Sequence, residues 1–386
     1  MAASSIADVL LDFVKEIFMK VGILTFPNST SYGATLQMYA LYKKVNDLGH
    51  DAEIINYFNA FMKAEKHMRK VDKLDLRRTL RHWAKRVLHY RLEKAFRDFE
   101  KNNMVLYPKK PVTDKAALPD IGNRYGAVIC GSDQVWNPNI TDTDLSFFLD
   151  FCGKGVRRIS YAPSFGIDDF SREFSDLIRP EIAAFDSISV REAVGREYIK
   201  REFGRDAQLV CDPTMLLSAE EWSTVEREYP IGSEGYILFY TIKKSEKLMD
   251  YCRTLSEKTG LRIITVGGNI LKKIKSENKK IEYAVDISPE QWLYLVHNAT
   301  CIVTNSFHGT AFSILYRKNF YVELSSATNS RLSHITDIFG LKSRIVNCNA
   351  VSEIENCNFD TADIELSKIR IEATNFLKDA LLEEEK

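Results

Sequence analysis

Short apolar runs rich in Val, Ile and Phe alternate along this chain with longer stretches whose apolar residues recur at helical spacing. The opening of the pattern sets the theme. "VGILTF" (21–26) reads as a buried strand and "PNSTSYG" as a polar loop. Ala34, Met38, Leu41, Val45 and Leu48 then keep helical spacing up to Gly49, a C-terminal stop. "AEIINY" (52–57) supplies the next strand and completes a βαβ unit. Further strands are expected at 127–131, 158–164, 187–192 and 207–213, and a second series at 235–242, 261–268, 301–305 and 319–324. Strands alternating with helices predict parallel sheets wrapped by helices, an α/β chain of two Rossmann-like domains. The Asp212-Pro213 turn divides the two series. An N-terminal Rossmann-like domain is therefore expected over 19–212, and a C-terminal one over 213–386 that ends in an amphipathic helix within 360–386. That helix is long enough to return and brace the first domain.

Two stretches depart from the alternation. Residues 1–18, "MAASSIADVLLDFVKEIF", carry acidic residues and no basic leader, so they read as an accessory N-terminal extension rather than a signal peptide. Between 61 and 101 the pattern becomes a helical insertion (about 60–105) with 14 Lys or Arg against 6 Asp or Glu, an excess of 8 positive charges. Its apolar stripes, Leu76, Leu80, Trp83 and Val87, then Leu88, Leu92, Ala95 and Phe99, suggest two helices covering a core. A basic surface for an anionic membrane or a diphosphate-linked acceptor is the sharper alternative.

Composition narrows the class. A length of 386 residues suits two domains by the prior of about 100–200 residues each. Lys plus Arg equals Asp plus Glu at 53 each, so overall charge argues neither for nor against nucleic acid or membrane, and only local patches can matter; no nucleic-acid partner is expected. No apolar run approaches the roughly 18 residues of a membrane span. Seven cysteines without a C-x-x-C pair, among them Cys130, Cys211 and Cys301 in strand-like runs, read as core residues of a cytoplasmic protein. No H-E-x-x-H or cysteine cluster announces a metal site, so acid–base chemistry falls to side chains.

Candidate chemistry gathers where strands end, the place where open α/β sheets bind ligands. The loop after the first strand offers Asn28, Ser29, Thr30 and Ser31 as neutral donors. It lacks both the P-loop ending and G-x-G-x-x-G, which leaves a dinucleotide or ATP site unsupported. In "GSDQVWNP" (131–138), Asp133 can accept a proton from a hydroxyl and Trp136 offers a flat face for a sugar ring. The plainer reading of Asp133 is an Asx cap. Arg191 in "SISVRE" suits a carboxylate or phosphate, unless it merely pairs with Glu192. "CIVTNSFHGTAFSILY" (301–316) places Ser306, His308 and Gly309 where a strand hands over to a helix whose free N–H groups favour an anion. The alternative is a histidine that only packs or caps. Arg331, further on, can reach the same crevice, whereas His334 suits the helix surface.

Taken in order, "NSTSYGATLQMYAL", "VICGSDQVWNP", "ISYAPSFG", "ISVRE", "LVCDPTMLL", "TNSFHGTAFSILY" and "NSRLSHITDIFGLKSR" resemble the polysaccharide pyruvyltransferase family over about residues 20–346. The resemblance implies a GT-B-like pair of Rossmann-like domains. It also implies transfer of pyruvate from phosphoenolpyruvate, as co-substrate and without a cofactor, onto a sugar of a polysaccharide or lipid-linked glycan precursor as a ketal. It places the work in the cytoplasm or at the inner face of the membrane. In such enzymes an Arg-x-His motif and an earlier arginine bind the donor. The earlier arginine corresponds to Arg191 and the histidine to His308, while the first position of Arg-x-His is Ser306 here and Arg331 is the candidate replacement. The roles implied are His308 and Asp133 in catalysis, Arg191, Ser306, Gly309 and Arg331 on the donor, and Asn28, Tyr32, Trp136 and Ser164 on the acceptor, with no metal. Two rivals stand beside this reading. A GT-B glycosyltransferase would need a ribose clamp, and no acidic one is evident near 261–290; a catalytically silent glycan-assembly protein would accommodate Ser306.

Overall fold

The computed structural model describes residues 18–59, 76–167, 169–267, 281–324, 329–346 and 353–382, the side chains of 76–89 and 329–330 excepted. Numbering only helices of nine residues or more, the first series runs β1 Lys20–Leu24, α1 Tyr32–Asp47, β2 Asp51–Tyr57, α2 Leu76–Asn103, β3 Leu106–Val112, β4 Ala127–Cys130, β5 Arg157–Ser160, α3 Arg172–Ala184, β6 Ser187–Val190, α4 Ala193–Phe203 and β7 Gln208–Leu209. These strands form one parallel sheet in the order β3-β2-β1-β4-β5-β6-β7. The second series is β8 Tyr236–Tyr240, α5 Glu246–Thr259, β9 Arg262–Val266, β10 Ile281–Ala284, α6 Pro289–His297, β11 Cys301–Thr304, α7 Phe307–Leu315, β12 Asn319–Val322, α8 Asn329–Ile338 and α9 Asp360–Leu381. Its sheet, also parallel, has the order β10-β9-β8-β11-β12. Each sheet reverses its order of winding once, between β1 and β4 and between β8 and β11. At such a point the loops leaving two neighbouring strands diverge to opposite faces and open a crevice.

Local chemistry explains the elements that position the site. Ser31 caps α1, its side chain accepting from Ala34 N. Leu36, Met38, Leu41 and Val45 are fully buried along that helix, which stops before Gly49 at φ 95°. Two strands that the apolar pattern does not announce, β3 and β10, lie at sheet edges. β3 carries Pro108 and Pro111, and β10 exposes Glu282, so neither reads as a buried apolar run.

Two compact units result. One comprises the described residues within Met1–Lys70, Glu100–Leu216 and Ile369–Lys386; the other comprises those within Val71–Phe99 and Leu217–Lys368. The division after Leu216 differs from the expected 212/213. Asp212 and Thr214 bond within the first unit, and Met215 O accepts from Arg370 Nε at 2.9 Å. The C-terminal end of α9 correspondingly belongs to the first unit, with Phe376 against Tyr161 at 6.3 Å between ring centroids. In the basic insertion, residues 76–103 form one continuous helix that carries both apolar stripes, with no Gly or Pro to interrupt it. Phe96 and Phe99 are buried on it, while residues 60–75 and the side chains of Arg77, Arg78, Arg81, Lys85 and Arg86 lie outside the described residues, as does the extension 1–17.

Aromatic clusters fill the interior of both units. Trp136 stacks on Phe148 at 5.1 Å and 7°, and meets Phe165 and Phe185 at an angle. In the second unit Trp292 packs edge-on against Tyr240 and Phe312. Cys130 and Cys301 are buried core residues, and burial pushes the Cys211 thiol up to about 12. Among the described residues, no helix is long and apolar enough to cross a membrane.

Candidate functional site

In the first unit the loops leaving β1, β4, β5, β6 and β7 are stitched to one another at the carboxyl edge of the sheet. Thr25 Oγ1, after β1, donates to Ser132 O at 2.8 Å, after β4. Ser164 N, after β5, donates to Asp133 O at 2.8 Å, and Arg191 N, after β6, to Pro163 O at 3.4 Å. Neighbouring parallel strands bring these residues side by side although 107 positions separate Thr25 from Ser132 in sequence and about 30 separate the partners in each other pair.

Arg191 is the centre of the polar cluster that results. Its Nη1 donates to Asp212 Oδ2 at 2.6 Å and its Nε to Glu192 Oε1 at 3.4 Å. Ser164 Oγ donates to that same Glu192 oxygen at 2.6 Å. Asp212 is wholly buried, and its other oxygen accepts from Thr214 N at 3.0 Å and Thr214 Oγ1 at 2.8 Å. Burial opposes the guanidinium charge, but Glu192, Asp212 and Asp133 more than offset it and hold the Arg191 pKa above its ordinary value. Arginine therefore stays charged inside the fold. The pairing with Glu192 read from the sequence is present, and the closer partner, Asp212, is the residue sequence reasoning missed. The signal that points to it is the "CDP" at a strand end, beside the turn that divides the two strand series.

Asp133 stands at φ 80°, an uncommon conformation for a residue with a side chain, and its Oδ1 accepts from Gln134 N at 2.8 Å. The Asx cap is thus real. Half-buried and within electrostatic reach of Arg191, the carboxylate also remains part of the cluster. A backbone strained at a strand end, beside a buried arginine, is the kind of feature that marks a working site.

The acceptor candidates fare differently. Asn28, at φ 59°, is held in the β1 loop: its N–H donates to Glu100 Oε1 at 2.9 Å and its Nδ2 to Asn56 Oδ1 at 2.8 Å. Tyr32 is buried at the first position of α1. Ser164 is fully buried and reaches the cluster through Glu192. Trp136 is a correction. It is 0% exposed, its Nε1 donates to Phe147 O at 2.9 Å, and its faces are covered by aromatic rings, so it offers no platform to a sugar. Apolar burial of a large ring won over the surface role.

In the second unit β11 ends at Thr304 and α7 begins at Phe307, so His308 occupies the second helical position, half-buried and edge-on to Phe307. Ser306 is the N-cap. Its Oγ accepts from Gly309 N at 3.2 Å, it shares a hydrogen bond with Tyr240, and it is fully buried. That corrects its expected role as a donor contact. Gly309 is corrected likewise: it is buried, and the groups that approach its backbone are Thr304 and Tyr240 of the protein itself. Asn305 ties the loop after β8 to this corner, accepting from Ile242 N at 2.9 Å and donating to Lys243 O at 2.8 Å. Arg331 lies half-buried in the first turn of α8, which packs against α7, and His334 is exposed. Among the described residues, no group of three or more His, Cys, Asp or Glu could hold a metal ion.

Chemically, the first unit offers a permanent cation amid carboxylates that can accept hydroxyl protons, and the second an imidazole at a helix start. Solved structures with the same architecture include a UDP-N-acetylglucosamine 2-epimerase candidate from Listeria monocytogenes, at 9% identity over 93% of this chain and 90% of that one, TM-score 0.51. S. aureus MnaA in a co-structure with UDP is similar at 10% identity over 92% of this chain and 91% of that one, TM-score 0.51. Such likeness shows the fold, two Rossmann-like domains of GT-B-like type. No curated protein matches the sequence. The profile of the family described as polysaccharide pyruvyl transferase matches residues 32–323, a stretch that includes Asp133, Arg191, Asp212 and His308. The chain belongs to the polysaccharide pyruvyl transferase family.

Proposed function

We propose that this pyruvyltransferase takes its pyruvyl group from phosphoenolpyruvate and closes it as a ketal on one sugar of a glycan or lipid-linked glycan precursor, with Arg191 and His308 serving the donor and Asp133 the acceptor. The observation that supports this most directly is the charged guanidinium of Arg191, kept at the carboxyl ends of the strands beside a carboxylate, Asp133, that stands in a strained conformation. A donor bearing a carboxylate and a phosphate suits a planar guanidinium, which grips two oxygens at once.

The proton inventory assigns the other roles. Adding a proton to the methylene carbon of phosphoenolpyruvate makes a cationic centre at C2, where one sugar hydroxyl adds and gives up its proton. The C2–O bond to phosphate then breaks with its electron pair, and a second hydroxyl of the same sugar closes the ring. Two hydroxyl protons are released; one ends on the new methyl group and the other on phosphate. Asp133 is the acceptor of a hydroxyl proton and His308 the acid on the donor side. Arg331 takes the place of the arginine that Ser306 replaces. The eight excess positive charges of 61–101 favour a lipid-linked acceptor met at the cytoplasmic face of a membrane.

Incubation with phosphoenolpyruvate and a panel of galactosides and mannosamine-containing acceptors tests the reading. Phosphate release that depends on one acceptor, with a pyruvate ketal in the product, is expected. Consumption of nucleotide sugars in its place would overturn it in favour of a glycosyltransferase.

A further inference from the structure

We infer that Asp212 and Thr214 are positioning residues for the donor: they fix the plane of the Arg191 guanidinium so that it meets phosphoenolpyruvate in one orientation. The inference rests on the reading of Arg191 as a donor ligand and adds two residues to it.

The geometry is a relay of three groups. Arg191 Nη1 donates to Asp212 Oδ2 at 2.6 Å, a short charge-assisted bond between side chains that are 4% and 0% exposed. Asp212 Oδ1 accepts both from the Thr214 backbone N–H and from its hydroxyl, at 3.0 and 2.8 Å. Both Asp212 oxygens are therefore engaged, and the carboxylate is locked before it orients the arginine. Thr214 owes its place to Pro213, which starts a one-turn 3-10 helix, Pro213–Leu216, all of it buried. Glu192, on the Nε side, is itself fixed by Ser164 Oγ at 2.6 Å. Two edges of the guanidinium are thus set from β7 and β5, and a flexible side chain at the end of β6 becomes a rigid one.

Charge alone predicts the reverse of what positioning predicts. One guanidinium faces three carboxylates, Asp212, Glu192 and Asp133, which is a poor balance for attracting an anion. If Asp212 mattered only through its charge, neutralising it would tighten the binding of phosphoenolpyruvate. Under the positioning role, the same change releases the guanidinium, whose rotamers must then be ordered by the ligand, and binding weakens.

The experiment is calorimetric titration of phosphoenolpyruvate into the full chain, with no acceptor needed. Asp212→Asn is expected to weaken binding by about tenfold or more, the loss of one charge-assisted contact. Thr214→Val, which keeps the backbone N–H but removes the hydroxyl, should weaken it several-fold, and Thr214→Ser should recover most of that loss. Should Asp212→Asn fail to fold, the Thr214 pair decides the question. Tighter or unchanged binding in Asp212→Asn, or in Thr214→Val, overturns the positioning role. Arg191→Lys, titrated alongside, separates the two levels: if it binds phosphoenolpyruvate as wild type does, the donor reading of Arg191 itself falls and the relay with it. If it loses binding while Asp212→Asn does not, only the relay is wrong.

Discussion

Thr304 Oγ1 lies 2.5 Å from the point a Cβ on residue 309 would occupy, and residue 309 is glycine. The threonine hydroxyl has no freedom to retreat, since it donates to Tyr240 O at 2.6 Å and accepts from Ser306 N at 3.0 Å. Gly309 therefore lets the end of β11, the cap of α7 and the ring of Tyr240 close into one corner, on which His308 is carried.

Gly309→Ala is accordingly expected to destabilise the protein by about 1–3 kcal/mol, the usual cost of overpacking a fixed site. Urea denaturation measures it. Stability equal to wild type would mean that the Thr304 corner can yield.

Trp136 provides a test of core against ligand role. Trp136→Phe keeps an aromatic ring but forfeits the hydrogen bond to Phe147 O and part of the stack on Phe148. A stability loss of about 1–3 kcal/mol is expected, with the KM for the sugar acceptor unchanged. A raised acceptor KM at unchanged stability would return Trp136 to the site.

Asp133 and His308 should separate turnover from binding. Asp133→Asn and His308→Gln are each expected to lower kcat by about 10²–10⁴-fold, the range of a lost acid or base, with phosphoenolpyruvate affinity changed only a few-fold. Steady-state kinetics and calorimetry on the same preparations give both numbers. If Asp133→Asn turns over normally, its carboxylate is only the cap on Gln134.

Far from the site, Glu53 sets a pH dependence of stability. Burial alone would raise its carboxyl, but Lys20 Nζ at 2.8 Å, the Tyr125 hydroxyl at 2.9 Å and Arg124 together hold it below the ordinary carboxylate value. A folded pKa below the unfolded one means stabilisation that is complete above the ordinary carboxylate range and fades as pH falls through the folded value. Glu53→Gln should therefore lower the melting temperature at neutral pH, and the difference from wild type should shrink in acid. A gap that persists at low pH would show that packing, not ionisation, holds this residue.

Features of this protein that depend on neighbours in the chain were legible in its residues. The period of apolar residues announced the buried central strands and the helices between them, and Ser306 before "FHG" announced a helix start within one residue of where α7 begins. The family resemblance was equally legible, because its motifs are contiguous. Edge strands β3 and β10 escaped, since a strand buried on fewer sides has no need of an unbroken apolar run. Which groups meet, by contrast, depends on contacts between distant segments. Trp136 looked available beside Asp133 until Phe148, Phe165 and Phe185 closed over it, all from later segments. Arg191 and Asp212 are 21 positions apart on different strand ends. No local pattern encodes their 2.6 Å bond; the right-handed winding of consecutive parallel strands does, by setting the ends of β6 and β7 next to each other, where burial leaves the two charges no better partner than one another.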